Sequence, residues 1–173
     1  MNACARMAVF DPINRIDSYN IFLNYFSSDY DDNTQRGSLG YSWDMGDVHF
    51  VQMNNYPTYA VELYHYANKT VHVTKSINWL ENDLRKANTR GKASIINFHD
   101  AYQHIKTNTN AEEKLRLEEM IKDYNVMALF SGYSHNAGES SYGFLQGVKN
   151  YNSGALFKGN YLKVEVNNKC INV

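Results

Sequence analysis

Between Ala93 and Phe130 the chain carries two short apolar runs separated by an amphipathic helical pattern, and no other stretch limits the fold as much. Ser94 to Phe98 is the first run. Leu117, Met120, Ile121 and Tyr124 then recur at helical spacing across Ala111 to Tyr124. Asn110 and Glu113 open that helix as a capping-box pair, each side chain positioned to satisfy a backbone N–H of the first turn. Val126 to Phe130 follows as an unbroken apolar run, the pattern of a strand buried on both faces. Two short strands joined through a helix lie parallel, with a right-handed crossover. The expected fold class is therefore α/β.

Parallel strands joined this way end at the same edge of the sheet. His99 follows the first strand directly, and Ser131-Gly132-Tyr133-Ser134-His135 follows the second. Neighbouring strands are about 5 Å apart, so the imidazoles of His99 and His135 can meet outside the carboxyl edge. That edge is where open α/β sheets hold their ligands. Imidazole suits zinc, iron and similar centres. Asp100 can orient a ligating imidazole, and His104 can act as a further ligand or proton carrier. The plain alternative is that each of these histidines is an ordinary loop residue.

The remaining elements are read in the same way. Ile13, Ile16, Tyr19, Phe22, Leu23 and Phe26 recur as a first helix, and Ser27 to Gly40 reads as a loop. Tyr41 to Asp44 and Val48 to Asn54 form a hairpin turned at Met45-Gly46-Asp47. His49 alternates with core positions there and is expected to be packed and hydrogen-bonded. Asn55 to Val73 is aromatic and irregular and receives no assignment. A second helix runs from about Lys75 to Asn88, with Thr74 as N-cap, a face of Ile77, Leu80, Leu84 and Ala87, and Gly91 as its stop. Ser141 to Val173 reads as three short strands, with Leu162, Val164 and Val166 alternating in the last.

Composition excludes several classes of function. Charges nearly cancel, 17 Lys and Arg against 18 Asp and Glu, so nothing favours nucleic acid or an anionic membrane as partner. No apolar run approaches the roughly 18 residues of a membrane span. The 173 residues suit one domain.

Four pieces of the chain, in order, resemble the calcineurin-like metallophosphoesterases. Tyr41-Ser42-Trp43-Asp44 with Gly46-Asp47-Val48-His49-Phe50 is similar to that family's Tyr-Ser-(aromatic)-Asp-x-Gly-x-Val-His-Phe hairpin. Trp79-Leu80-Glu81-Asn82-Asp83-Leu84 resembles its Trp-Leu-x-x-Asp-Leu helix. Ile95-Ile96-Asn97-Phe98-His99 resembles the strand ending in its isolated metal-binding His. Ser131-Gly132-Tyr133-Ser134-His135 resembles its closing Ser-Gly-His-x-His block. The likeness covers roughly Tyr41 to Val166.

The resemblance implies part of a metallophosphoesterase-like β-sandwich flanked by helices, with mixed sheets. It also implies metal-dependent phosphoester hydrolysis, with divalent manganese, iron or zinc as cofactor and a phosphoester as substrate. His99 and His135 would be metal ligands, and His104 or Asp100 would assist the leaving group. The family's Gly-Asp-x-x-Asp and Gly-Asn-His blocks are missing from the sequence, its one Asp-x-His triplet, Asp47-Val48-His49, falls within the hairpin, and Tyr133 stands where the last block has its first His. The resemblance therefore implies an incomplete domain without its N-terminal metal-binding half. That means a fragment, a decayed product, or a subunit completed by another chain. The expected consequences are exposed sheet edges that a partner chain or oligomer covers, and a Val126–Phe130 strand whose neighbours come from the missing half. A non-catalytic binding module that keeps the fold without the metals is the alternative.

Overall fold

In the computed structural model, residues 25–28, 36–65, 69–100, 103–140, 145, 147–167 and 170–173 are described. They form, in chain order, β1 (Tyr25–Ser28), β2 (Arg36–Gly37), β3 (Tyr41–Met45), β4 (Val48–Gln52), β5 (Val61–His65) and β6 (Lys69–Val73). Helix α1 (Ile77–Thr89), β7 (Ala93–Asn97), helices α2 (Gln103–Asn108) and α3 (Ala111–Asp123), and β8 (Val126–Ser131) come next. The chain continues through β9 (Ala137–Ser140), β10 (Lys149–Ser153), a short 3₁₀ turn at Leu156–Lys158, β11 (Glu165–Asn167) and β12 (Cys170–Asn172).

A mixed sheet of seven strands in the order β1-β3-β4-β7-β8-β10-β9 organises the molecule. Strands β4, β7, β8 and β10 run parallel, and the antiparallel pairs lie toward the two ends. A three-stranded sheet β2-β6-β5 and a two-stranded pair β11-β12 stand apart from it. The expected crossover is present: β7 and β8 are adjacent and parallel, with α2 and α3 between them. The molecule is thus a mixed α/β fold.

Alternation along the central strands sorts their side chains onto two faces. Val51, Ile96 and Leu129 face the helices and join Leu80, Leu84 and Met120 in the main core. Phe50, Ile95, Phe130 and Tyr151 alternate onto the other face, where Trp43 stacks on Phe50 with ring centroids 5.4 Å apart, as do Phe130 and Tyr151. A strand apolar on both faces is the mark of a parallel sheet meant to be covered on both sides.

The helix ends follow from local chemistry. Gly91, at φ +71°, closes α1 in the left-handed region that glycine adopts without cost. The Lys92 and Gly91 amides donate to Ala87 and Asn88 carbonyls at 3.0 and 2.9 Å, a Schellman closure. At the start of α3, the Asn110 side chain accepts from the Glu113 amide at 2.8 Å, and the Glu113 carboxylate accepts in return from the Asn110 amide. Asn110→Ala should lower stability by about 1 kcal/mol in a urea titration. No measurable change would mean that the cap is not closed in solution.

Several expectations need correction. Residues 13–24 of the proposed first helix lie outside the described residues, but Phe26 lies in β1, which pairs antiparallel with β3. A ladder to a distant strand has overridden the local helical spacing. Part of the expected loop is likewise strand, since Arg36–Gly37 pairs parallel with β6. Thr74 does not cap α1. Its amide bonds Gly37 and that of Ser76 bonds Pro57, so the helix starts two residues later, behind Ser76. The unassigned stretch holds the hairpin β5-β6. Leu162 and Val164 precede β11 rather than share a strand with Val166. Finally, β8 takes its neighbours from this chain: β7 on one side and β10 on the other. A buried apolar strand needs two partners, and the C-terminal segment provides the second.

Candidate functional site

The carboxyl ends of β4, β7 and β8 meet at one edge and are tied together by backbone. The His99 amide donates to the Asn55 carbonyl at 2.9 Å, and the Gly132 amide donates to the His99 carbonyl at 3.0 Å. The loop after β8 is held against the end of β7 by the second of these bonds. The Asn152 side chain on β10 donates to the Gly132 carbonyl from the far side.

His99 is exposed, and the Tyr133 ring meets its imidazole edge to face at a centroid distance of 5.8 Å. The same tyrosine ring meets His104 at 5.1 Å, again nearly perpendicular. Tyr133 therefore contacts both histidines. Its backbone, at φ +70°, and that of His135, at φ +58°, both adopt the left-handed conformation that non-glycine residues rarely take. Two such residues within one short loop are a concentration of strain of the kind found at functional sites.

Asp100 is almost fully buried and organises the start of α2. One carboxylate oxygen accepts from the Gln103 amide at 2.9 Å, and the other accepts from the His104 amide at 3.0 Å. That second oxygen also meets His104 Nδ1 at 2.5 Å. The aspartate thus caps a helical turn and fixes the imidazole orientation, which leaves Nε2 as the outward nitrogen of a half-exposed ring. His135 lies elsewhere in the loop. Its ring packs edge to face on Phe157, 5.4 Å away. The structure thus brings together His99, His104, Asp100 and Tyr133, and it places His135 against the 3₁₀ turn.

The donor set decides whether this edge fits the metal centre that the resemblance implies. Catalytic centres use three or more protein ligands. Among the described residues, no group of three or more His, Cys, Asp or Glu side chains could hold a metal ion. Two imidazoles and one carboxylate, Asp100, already engaged by the backbone of α2 and by His104, do not fit a complete two-metal phosphoesterase centre.

A second polar cluster lies under α1 and was only half legible in the sequence. His49 is fully buried, as its strand alternation suggested. Its Nδ1 meets Asp44 at 2.6 Å and its Nε2 meets Asp83 at 3.0 Å. The Arg90 guanidinium then donates to both oxygens of Asp44 at 3.1 Å. Asp44 and His49 face each other across the hairpin, and Asp83 descends from the helix between Leu80 and Leu84. The sequence signal was an aspartate within the apolar stripe of an amphipathic helix, a position that calls for a buried partner.

No protein-family model matches the chain, and no curated protein matches it.

Proposed function

We propose that the chain is a metallophosphoesterase-like unit with an incomplete metal centre, and that its chemistry is metal-dependent hydrolysis of a phosphoester. One observation carries the reading. β7 and β8 are adjacent and parallel, so His99 and the Ser131–His135 loop lie at one carboxyl edge, with the Gly132 amide 3.0 Å from the His99 carbonyl. The four segments that resemble the family's motifs lie on the hairpin β3-β4, helix α1, strand β7 and the loop after β8. On this reading His99 and His135 are the ligands that this chain contributes, His104, oriented by Asp100, serves the leaving group, and the missing carboxylates come from another chain or segment. The end strands β1 and β9 each pair with one neighbour among the described residues. These edges are where a partner would add. No helix among the described residues is long and apolar enough to cross a membrane.

A second reading is favoured by Tyr133, whose ring packs edge to face against both His99 and His104. In that reading the edge has become a binding surface and the metals are gone. Metal titration and turnover of 4-nitrophenyl phosphate and bis(4-nitrophenyl) phosphate in excess Mn²⁺ separate the two. The hydrolase reading expects weak metal binding and slow turnover, each falling roughly tenfold with His99→Ala and with His135→Ala. Metal binding indifferent to both substitutions, with no turnover, would leave the binding module standing.

A further inference from the structure

On the face of the large sheet away from the helices lies a cavity of about 1010 Å³ that begins at the edge carrying His99. Its floor is apolar and includes Phe50, Ile95 and Phe130, and its far wall is the segment with Leu156, Leu162 and Val164. Sites for small organic ligands occupy about 300–1,000 Å³ and combine an apolar body with a few polar groups. The polar groups here are side-chain amides such as Asn54, Asn55 and Asn97, the hydroxyls of Tyr41 and Ser131, and the His99 imidazole at the edge.

Charge is the discriminating feature. None of the described lining side chains is Asp, Glu, Lys or Arg. A charged group drawn into this cavity would lose its hydration without gaining a counter-ion. Burial pushes the phenol of Tyr41 up, which keeps that wall residue neutral. The mouth carries a waiting acceptor as well. The buried Asn55 Oδ1 has no hydrogen-bond partner, and the Asn55 carbonyl is tied to the His99 amide at 2.9 Å. A ligand hydroxyl can donate to that amide oxygen beside His99.

Resting on the hydrolase reading above, we infer that the alcohol portion of the phosphoester is an uncharged, largely apolar group, an aryl or alkyl alcohol. It occupies this cavity with its oxygen end at Asn55 and His99. Sugar phosphates, nucleotides and phosphopeptides are then the wrong substrates, because their organic portions are too polar or charged for the floor.

Binding of 2-naphthol, a neutral fluorescent aryl alcohol, tests this in EDTA, where no metal or turnover enters. The expected result is saturable binding with Kd below about 1 mM. The anion 2-naphthoate should bind at least about tenfold more weakly, as should 2-naphthol to Leu162→Asp, which places a charge in the wall. Phe157→Ser alters an exposed aromatic that does not line the cavity and should leave the affinity unchanged. Absence of saturation, equal affinity for 2-naphthoate, or a loss in Phe157→Ser as large as that in Leu162→Asp would each overturn the inference. Failure of hydrolysis in Mn²⁺ would instead strike the hydrolase reading, with the naphthol result standing.

Discussion

Asp83→Ala is expected to cost about 3–5 kcal/mol of folding stability, because it removes a buried carboxyl group that hydrogen-bonds the buried His49 ring. In the native protein His49 has a carboxylate on each ring nitrogen, and Arg90 braces the Asp44 side of the chain of contacts. Removal of Asp83 leaves Nε2 without its acceptor in a site with no access to water. A domain of this size is stable by roughly 5–15 kcal/mol, so the loss takes a large share of the total. At about 2–4 °C per kcal/mol, the midpoint of thermal unfolding followed by circular dichroism should fall by roughly 6–20 °C. Ion pairs between exposed side chains contribute about 0–1 kcal/mol. A loss in that smaller range for Asp83→Ala would mean that the cluster is solvated and the helix does not seat as described.

Tyr133→His is expected to create metal affinity where the native edge falls short. The Tyr133 ring lies 5.8 Å from the His99 ring and 5.1 Å from the His104 ring, centroid to centroid. An imidazole grown from the same backbone would join two others, and three imidazoles meet the ligand count of a catalytic zinc site. His104 is already oriented through Nδ1 by Asp100, the arrangement that prepares a histidine to bind metal through its other nitrogen. Co²⁺ absorption should show at least a roughly tenfold gain in affinity over the native chain. The gain should vanish when His104→Ala or His99→Ala is added. A gain that survives both additions would place the metal elsewhere and refute the geometry around Tyr133.

How much of this was legible beforehand depends on the range of each interaction. The capping box of α3, the glycine closure of α1 and the β3-β4 turn are decided within a few residues, and each lies where the sequence put it. Phe26 failed as a helical residue because β1 is made by pairing with β3, about fifteen residues on, and helical spacing carries no record of that ladder. Thr74 failed as a cap because two backbone bonds to distant segments hold the chain extended past it. In the candidate site, the sequence brought His99 and the loop after β8 to one edge. It could not foresee that Tyr133 would pack against both His99 and His104 while His135 packed on Phe157.

By itself, then, the sequence determined the strand-helix-strand unit, its parallel sense and the edge at which its histidines emerge. Apolar periodicity, capping and crossover handedness are local or nearly topology-free rules. Only the tertiary structure decided which strands flank β8, which acid meets His49 from α1, and how the side chains of one short loop divide between two neighbours. Those outcomes depend on register and on left-handed backbone angles at Tyr133 and His135. The contacts that stabilise them come from segments far away in the chain, and local sequence pattern does not encode them.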